Sequence, residues 1–175
     1  MTARVFFRRS FIVCGSLIAV AGYWGLANLQ ITLNGSSSLP ETAYLQWHWP
    51  QILWHGAVVA IEPPAVFHGR LDGMAVVKRL EGMPGDRIDH QGHSVCVVDR
   101  CYGPLFEDSE PFAPLLDEGE IPEGKVALFG DAANSFDSRY ASFGLISVED
   151  IQAVGIALDG FPHWTEVAAW LGLPH

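Results

Sequence analysis

MAVVKRLEGMPGD, residues 74–86, is the stretch on which the reading of this chain turns. Met74, Ala75, Val76 and Val77 form a short apolar run of the kind that enters a sheet as a buried strand, and Lys78 follows at its end. Arg79 comes next, and Gly82, Pro84 and Gly85 then predict a turn that the Asp86 side chain can close. A lysine delivered by an apolar strand loses hydration. That disfavours its charged form and lowers its pKa toward neutrality, so the amine becomes able to take a proton. The plainer reading is an amine that snorkels from the strand end into water.

Upstream, no residue from Ser10 to Leu29 is charged. About twenty helical residues span about 30 Å, the thickness of a bilayer core. Arg4, Arg8 and Arg9 precede this run, and no Lys or Arg follows it until Arg70. The asymmetry predicts a cytoplasmic N-terminus (1–9), a single transmembrane anchor (10–29) and a domain outside the membrane (30–175). Tyr23 and Trp24 suit the membrane interface. A cleaved signal peptide has a similar order of basic, apolar and small residues. The run here is longer than a usual signal core, and Ala27 to Gly35 offers no clear small-x-small cleavage site, which favours an uncleaved anchor.

Hydrophobic residues make up 49% of the chain and charged residues only 17%, lean for a soluble domain. Setting aside Arg4, Arg8 and Arg9, the 10 basic residues fall to 7 against 20 acidic ones, so the outer part carries a formal −13. That argues against nucleic acid or an anionic lipid surface as its main partner. Glu107, Asp108, Glu110, Asp117, Glu118, Glu120 and Glu123 crowd one proline-spaced stretch, most simply a solvated loop. Cys14 lies in the anchor. Cys96 and Cys101 flank a predicted hairpin at Asp99-Arg100, where an oxidising compartment would permit a disulfide; two reduced thiols on facing strands are the other reading. His90 and His93 flank a Gln-Gly turn, no HExxH or HxxEH pattern occurs, and neither a metal site nor a cofactor is expected.

Short strands are predicted at 43–49, 57–61, 75–78, 94–98, 126–129, 144–147 and 154–158, separated by Gly and Pro turns. They indicate a mainly β domain, a sandwich or partly closed barrel. Only the tail, 163–172, reads helical, with Trp164, Val167, Ala168 and Leu171 on one face; it either caps the core or lies on the membrane.

Two further stretches carry chemistry. In NGSSSLPETAYL, Asn34 to Leu45, three serines precede Leu39-Pro40, a composition that serves equally as a polar linker or a nucleophile loop. In LFGDAANSFDSRYASFG, Leu128 to Gly144, an apolar strand runs into Gly130-Asp131 and then Ser135, Asp137, Ser138 and Arg139, a set suited to a hydrogen-bonded scaffold.

Ser-x-Pro shortly after an anchor, then VVKRLEGMPGD, then GD…NSFDSRY, in this order, resembles the signal peptidase I family of serine–lysine proteases. Within it the chain is most similar to the TraF-type conjugal transfer peptidases, whose Ser-x-Pro and shortened GD…NSFDSRY loop it matches; only Ala132-Ala133 separates Gly130-Asp131 from Asn134-Ser135. The resemblance covers the anchor to about Gly144. Glu81 stands at a usually apolar or small position, Gly56-Ala57 where many members have Gly-Asp, and Thr42-Ala43 where Gly-Leu commonly precedes the tyrosine matched by Tyr44.

The resemblance implies an antiparallel β domain of coiled sheets and a role for each matched residue. Ser38 would be the nucleophile and Lys78, as a neutral amine, its general base. Ser135 would hydrogen-bond that amine, and Asp137 and Arg139 would brace its loop. The Ser38 backbone N–H and the Ser36 hydroxyl would form the oxyanion hole. The implied protein is a bacterial inner-membrane endopeptidase with its catalytic domain in the periplasm. It would process a pilin-like or other exported precursor of a conjugative transfer system through an acyl-enzyme. A general type I signal peptidase, and a non-catalytic component of the transfer apparatus, are the rival expectations.

Overall fold

The computed structural model describes residues 3–67, 69 and 74–173, with side chains from Val13 onward except at Ala65. The chain divides into two units, Met1–Gln30 and Ile31–His175. Helix α1 (Ala3–Asn28) fills most of the first. Among the described residues no helix is long and apolar enough to cross a membrane. Helix α1 also stops short of the expected end of the anchor, because Leu29 already belongs to a strand.

The second unit is mainly β. Its strands are β1 (Leu29–Leu33, begun in the first unit), β2 (Ala43–Trp47), β3 (Val58–Ile61), β4 (Val76–Gly82), β5 (Arg87–Gln91), β6 (Ser94–Val97) and β7 (Arg100–Tyr102), followed by β8 (Phe106–Glu107), β9 (Glu110–Pro111), β10 (Gly119–Glu120), β11 (Lys125–Phe129), β12 (Ile146–Ser147) and β13 (Ile151–Ala157). A seven-stranded sheet has the order β1-β2-β13-β3-β4-β11-β12, a four-stranded sheet the order β10-β5-β6-β7, and β8-β9 is a small hairpin. Every paired register given by these strands is antiparallel. Both larger sheets are open, and neither closes on itself as a barrel.

β4 differs from its expected form in a way that matters for Lys78. The strand does not end there; it continues through Arg79, Leu80 and Glu81 to Gly82. Lys78 faces Val59 of β3, and Leu80 faces Leu128 of β11. Side chains two apart share a face of a strand, so Lys78 lies between Val76 and Leu80, both buried in the main apolar cluster with Val59, Val126 and Leu128. The amine is thus buried from within a central strand, not released at its end. Met83 and Asp86 close the following turn, the Met83 N–H donating to Asp86 Oδ2 at 2.7 Å.

β6 and β7 form a hairpin in which Cys96 faces Cys101, and the two are joined as a disulfide. At the C-terminus the helix is shorter than expected: α2 (Trp164–Trp170) buries only Ala168 and leaves Trp170 exposed.

Candidate active site

The loop between β1 and β2 carries Ser36 and Ser38, and one side chain organises it. Asn34 Nδ2 donates to the carbonyls of Leu39 (2.8 Å) and Glu41 (2.7 Å), and its Oδ1 accepts the Ser36 N–H at 3.0 Å. The Asn34 N–H donates to the Thr42 carbonyl at 2.9 Å, closing the loop at its base. Inside it the Ser38 N–H donates to Ser36 Oγ, and the Ser36 hydroxyl to Asn34 Oδ1, both at 3.4 Å. These long contacts are weak, so both donors can turn to a new acceptor at small cost.

Lys78 reaches this loop from β4. Its Nζ lies 2.7 Å from Ser38 Oγ and 2.8 Å from Ser135 Oγ, with the residue 4% exposed. Burial pulls its pKa from 10.5 down to about 8; Asp137 opposes the shift and Arg139 adds to it. Below that pH the ammonium donates to both hydroxyls. Above it, the neutral amine can accept the Ser38 proton while Ser135 holds it in place.

The loop bearing Ser135 is built on a buried ion pair. Arg139 donates to Asp137 through Nε (2.8 Å) and Nη2 (2.9 Å), the two-pronged geometry that guanidinium and carboxylate favour. The remaining guanidinium donors go to the carbonyls of Gly130 (2.7 Å), Gly103 (2.7 Å) and Ala133 (3.3 Å). Asp137 Oδ2 also accepts the Gly130 N–H at 2.8 Å. Asp137 and Arg139 are buried, a costly arrangement unless each polar atom is paired, and here the pairing is dense.

A second set of charges ties the strands around the loop together. Arg79 bonds Glu41 at 2.5 Å and Asp131 at 3.0 Å. Arg100 bonds Glu81 and, at 3.1 Å, the other oxygen of Asp131. The Ala132 N–H, next to Asp131, donates to the Ser38 carbonyl at 3.1 Å. Asn34, Glu41, Asp131 and Arg100 are site-building residues that the sequence reading left out. Asn34-Gly35 carried a turn signal of the Asx type, Asp131 stood in the quoted Gly130-Asp131 motif and Arg100 in the predicted hairpin, but their bonding roles, like that of Glu41, depend on partners far away in the chain.

The Ser38 hydroxyl and the Lys78 amine open onto a groove of about 380 Å³ lined by Leu33, Ser36, Ser38, Met74, Val77 and Phe136, among others. Its lining is largely apolar. A second hollow of about 490 Å³ shares Phe67, Asn134 and Phe136 with it. Among the described residues no group of His, Cys, Asp and Glu side chains could hold a metal ion.

A serine hydroxyl against a buried, deprotonatable amine, beside a peptide-sized groove, is the equipment of a serine hydrolase. The family model described as signal peptidase, peptidase S26, matches residues 4–158, and the chain belongs to this family. It is accordingly a serine endopeptidase, a hydrolase that processes exported proteins. Among solved structures, a signal peptidase I from Enterococcus faecalis is similar at 19% identity, covering 59% of this chain and 97% of that one, with a TM-score of 0.38. No curated protein matches the chain.

Proposed function

We propose that this chain is a membrane-anchored endopeptidase in which Ser38 and Lys78 form the catalytic pair, and that it processes a pilin-like or other exported precursor of a conjugative transfer system. The observation that carries the catalytic part is the Lys78 amine, buried and within 2.8 Å of both Ser38 Oγ and Ser135 Oγ. In this reading neutral Lys78 takes the Ser38 proton as Oγ attacks the scissile carbonyl. The carbonyl oxygen becomes an oxyanion and draws the Ser38 N–H and the Ser36 hydroxyl away from their weak resting contacts. Lys78 then gives its proton to the leaving amine, an acyl-enzyme remains on Ser38, and water or another amine releases it.

Anchoring by α1 is supported by its exposed Val13, Leu17, Ile18, Val20 and Leu26, and by the three arginines before them. The same asymmetry directs the catalytic unit to the periplasmic side of a bacterial inner membrane. The conjugative substrate is supported by the shortened Gly130-Asp131…Asn134-Ser135 loop and the short spacing between Ser38 and Lys78.

Two experiments test the reading. Cleavage of a conjugative pilin precursor should be lost in Ser38→Ala and in Lys78→Arg, since guanidinium cannot release its proton near neutrality. Cleavage at near wild-type rate by either variant overturns the pair. Rescue of a strain depleted of its leader peptidase would instead identify a general signal peptidase.

A further inference from the structure

We infer that Asp159 and Trp164 are positioning residues that clamp Thr42 and so fix the loop bearing Ser38; the inference rests on Ser38 being the nucleophile. The clamp follows from strand register. In the β2–β13 pair Ala157 faces Tyr44, and the Leu158 N–H then donates to the Ala43 carbonyl at 2.9 Å. One residue further, Asp159 stands opposite Thr42, and there the ladder continues through a side chain. Asp159 Oδ2 accepts the Thr42 N–H at 2.7 Å, and Oδ1 accepts the Thr42 hydroxyl at 2.6 Å. The Trp164 indole N–H donates to the same Thr42 Oγ1 at 2.9 Å.

Every polar group of Thr42 is then engaged, because its carbonyl already accepts the Asn34 N–H. This is the base of the nucleophile loop, four residues from Ser38. The position matters because the two halves of the catalytic pair ride on different strands. Ser38 hangs from β2, Lys78 sits within β4, and the path between them in the sheet runs through β13 and β3. A clamp from the end of β13 onto the end of β2 makes the loop a rigid extension of the sheet that carries the amine. The clamp also gives α2 a purpose. Seven helical residues are too few to be stable alone, and α2 is held by Trp164 at Thr42 and by buried Ala168.

The test uses full-length, membrane-inserted protein and kcat and KM for a precursor peptide, each per mole of folded enzyme. Thr42→Val and Asp159→Asn should each lower kcat by about 10- to 100-fold with KM unchanged, the scale of a misplaced reacting group. Thr42→Ser, which keeps the hydroxyl, should retain kcat. The double variant should lose less than the sum of the two single losses, because both changes act on the Thr42 hydroxyl–Asp159 bond. A loosened loop also admits water to Lys78, so the rise of activity with pH should move to higher pH in both variants. Wild-type kcat and pH profile in folded Thr42→Val and Asp159→Asn overturn the clamp. If Thr42→Val does not fold, Asp159→Asn decides alone. Ser38→Ala measured in parallel separates the two ideas: an active Ser38→Ala overturns the nucleophile assignment, whereas an inactive one beside an unaffected Asp159→Asn overturns the clamp only.

Discussion

Arg100, one residue before the bridged Cys101, donates to Glu81 in the middle of the catalytic sheet. Glu81 is 7% exposed, and Arg100 is the nearer of two cations at its carboxylate, with Arg79 Nε 3.9 Å from the same oxygen. The pair explains how a nearly buried glutamate is tolerated in β4. It also makes the disulfide hairpin part of the site's framework, since Arg100 reaches Asp131 as well.

Arg100→Ala should therefore destabilise the fold by about 1 kcal/mol, the cost of weakening the pairing of a buried acceptor, because half of Arg100 is in water and Arg79 stays 3.9 Å from Glu81. Replacing both Cys96 and Cys101 with serine should cost about 2 kcal/mol through loop closure. Because the hairpin holds Arg100, the combined variant should lose less than the sum of the two losses in urea unfolding. Strict additivity would show that the hairpin and the Glu81 contact are independent.

Lys78 couples activity and stability to pH. Its folded pKa is about 8, below the ordinary 10.5, because burial disfavours the ammonium. Activity should rise as pH passes through about 8 and the amine becomes neutral. Between about 8 and 10.5 the unfolded chain binds more protons at this site than the folded one, so stability should also rise with pH across that window. Below it the cost of burying the charge is fully present. Lys78→Met should accordingly be more stable than wild type near pH 7, with the difference shrinking toward pH 10.5. Thermal unfolding across pH checks this, and an unchanged difference between pH 7 and 10.5 would contradict it.

Much of this site was legible in the chain, and the reasons differ from residue to residue. The apolar run before Lys78 announced a buried amine, and the order of the three motifs placed Ser38 and Ser135 with it. The length of β4 was hidden, because Arg79 and Glu81 break its apolar pattern and are neutralised by Glu41, Asp131 and Arg100, none of them near in sequence. Ser36 to Ser38 look like a linker in composition; what makes them a loop of fixed shape is the Asn34 side chain. Thr42 looked like a simple departure from a motif until the register of β2 and β13 put Asp159 opposite it. Local patterns reveal strands and turns, while pairings across the sheet depend on register, which no short stretch encodes.

Asp137 and Arg139 brace the Ser135 loop from inside the protein. Removing one partner strands a charge with no access to water, a loss of about 3–5 kcal/mol for a buried pair. Asp137→Ala and Arg139→Ala should each lose stability on that scale in denaturant unfolding. Losses below about 1 kcal/mol would mean that the pair is more hydrated than its burial indicates.

Gly130 is packed between the two hydroxyl-bearing segments. A Cβ there would come 2.2 Å from Ser135 Oγ and 2.8 Å from the Ser38 carbonyl, so one or both must move. Ser135 Oγ holds the Lys78 amine, and a displacement of about 1 Å at such a contact costs on the order of 100-fold in rate. Gly130→Ala should lower kcat on that scale, with little change in KM for short peptides because Gly130 does not line the groove. Retained kcat would show that Ser135 does not position the base.

Asn34 offers the sharpest test of the proposed oxyanion hole, because its two ends do different things. Nδ2 pins the loop through Leu39 and Glu41, while Oδ1 holds Ser36 through its N–H and, weakly, its hydroxyl. Asn34→Ala removes both and should lower kcat by about 100- to 1000-fold, the scale of losing an oxyanion donor. Asn34→Asp keeps the acceptor but loses the donor, and its negative charge would bind the Ser36 hydroxyl more tightly. That hydroxyl would then be less free to turn toward the oxyanion, so Asn34→Asp should also lose kcat. If Asn34 acts through Ser36, adding Ser36→Ala to either variant should cause little further loss, since residues that work as a unit are not additive. A Ser36→Ala penalty that persists undiminished in the Asn34→Ala background would show that Asn34 holds the loop without orienting the Ser36 hydroxyl.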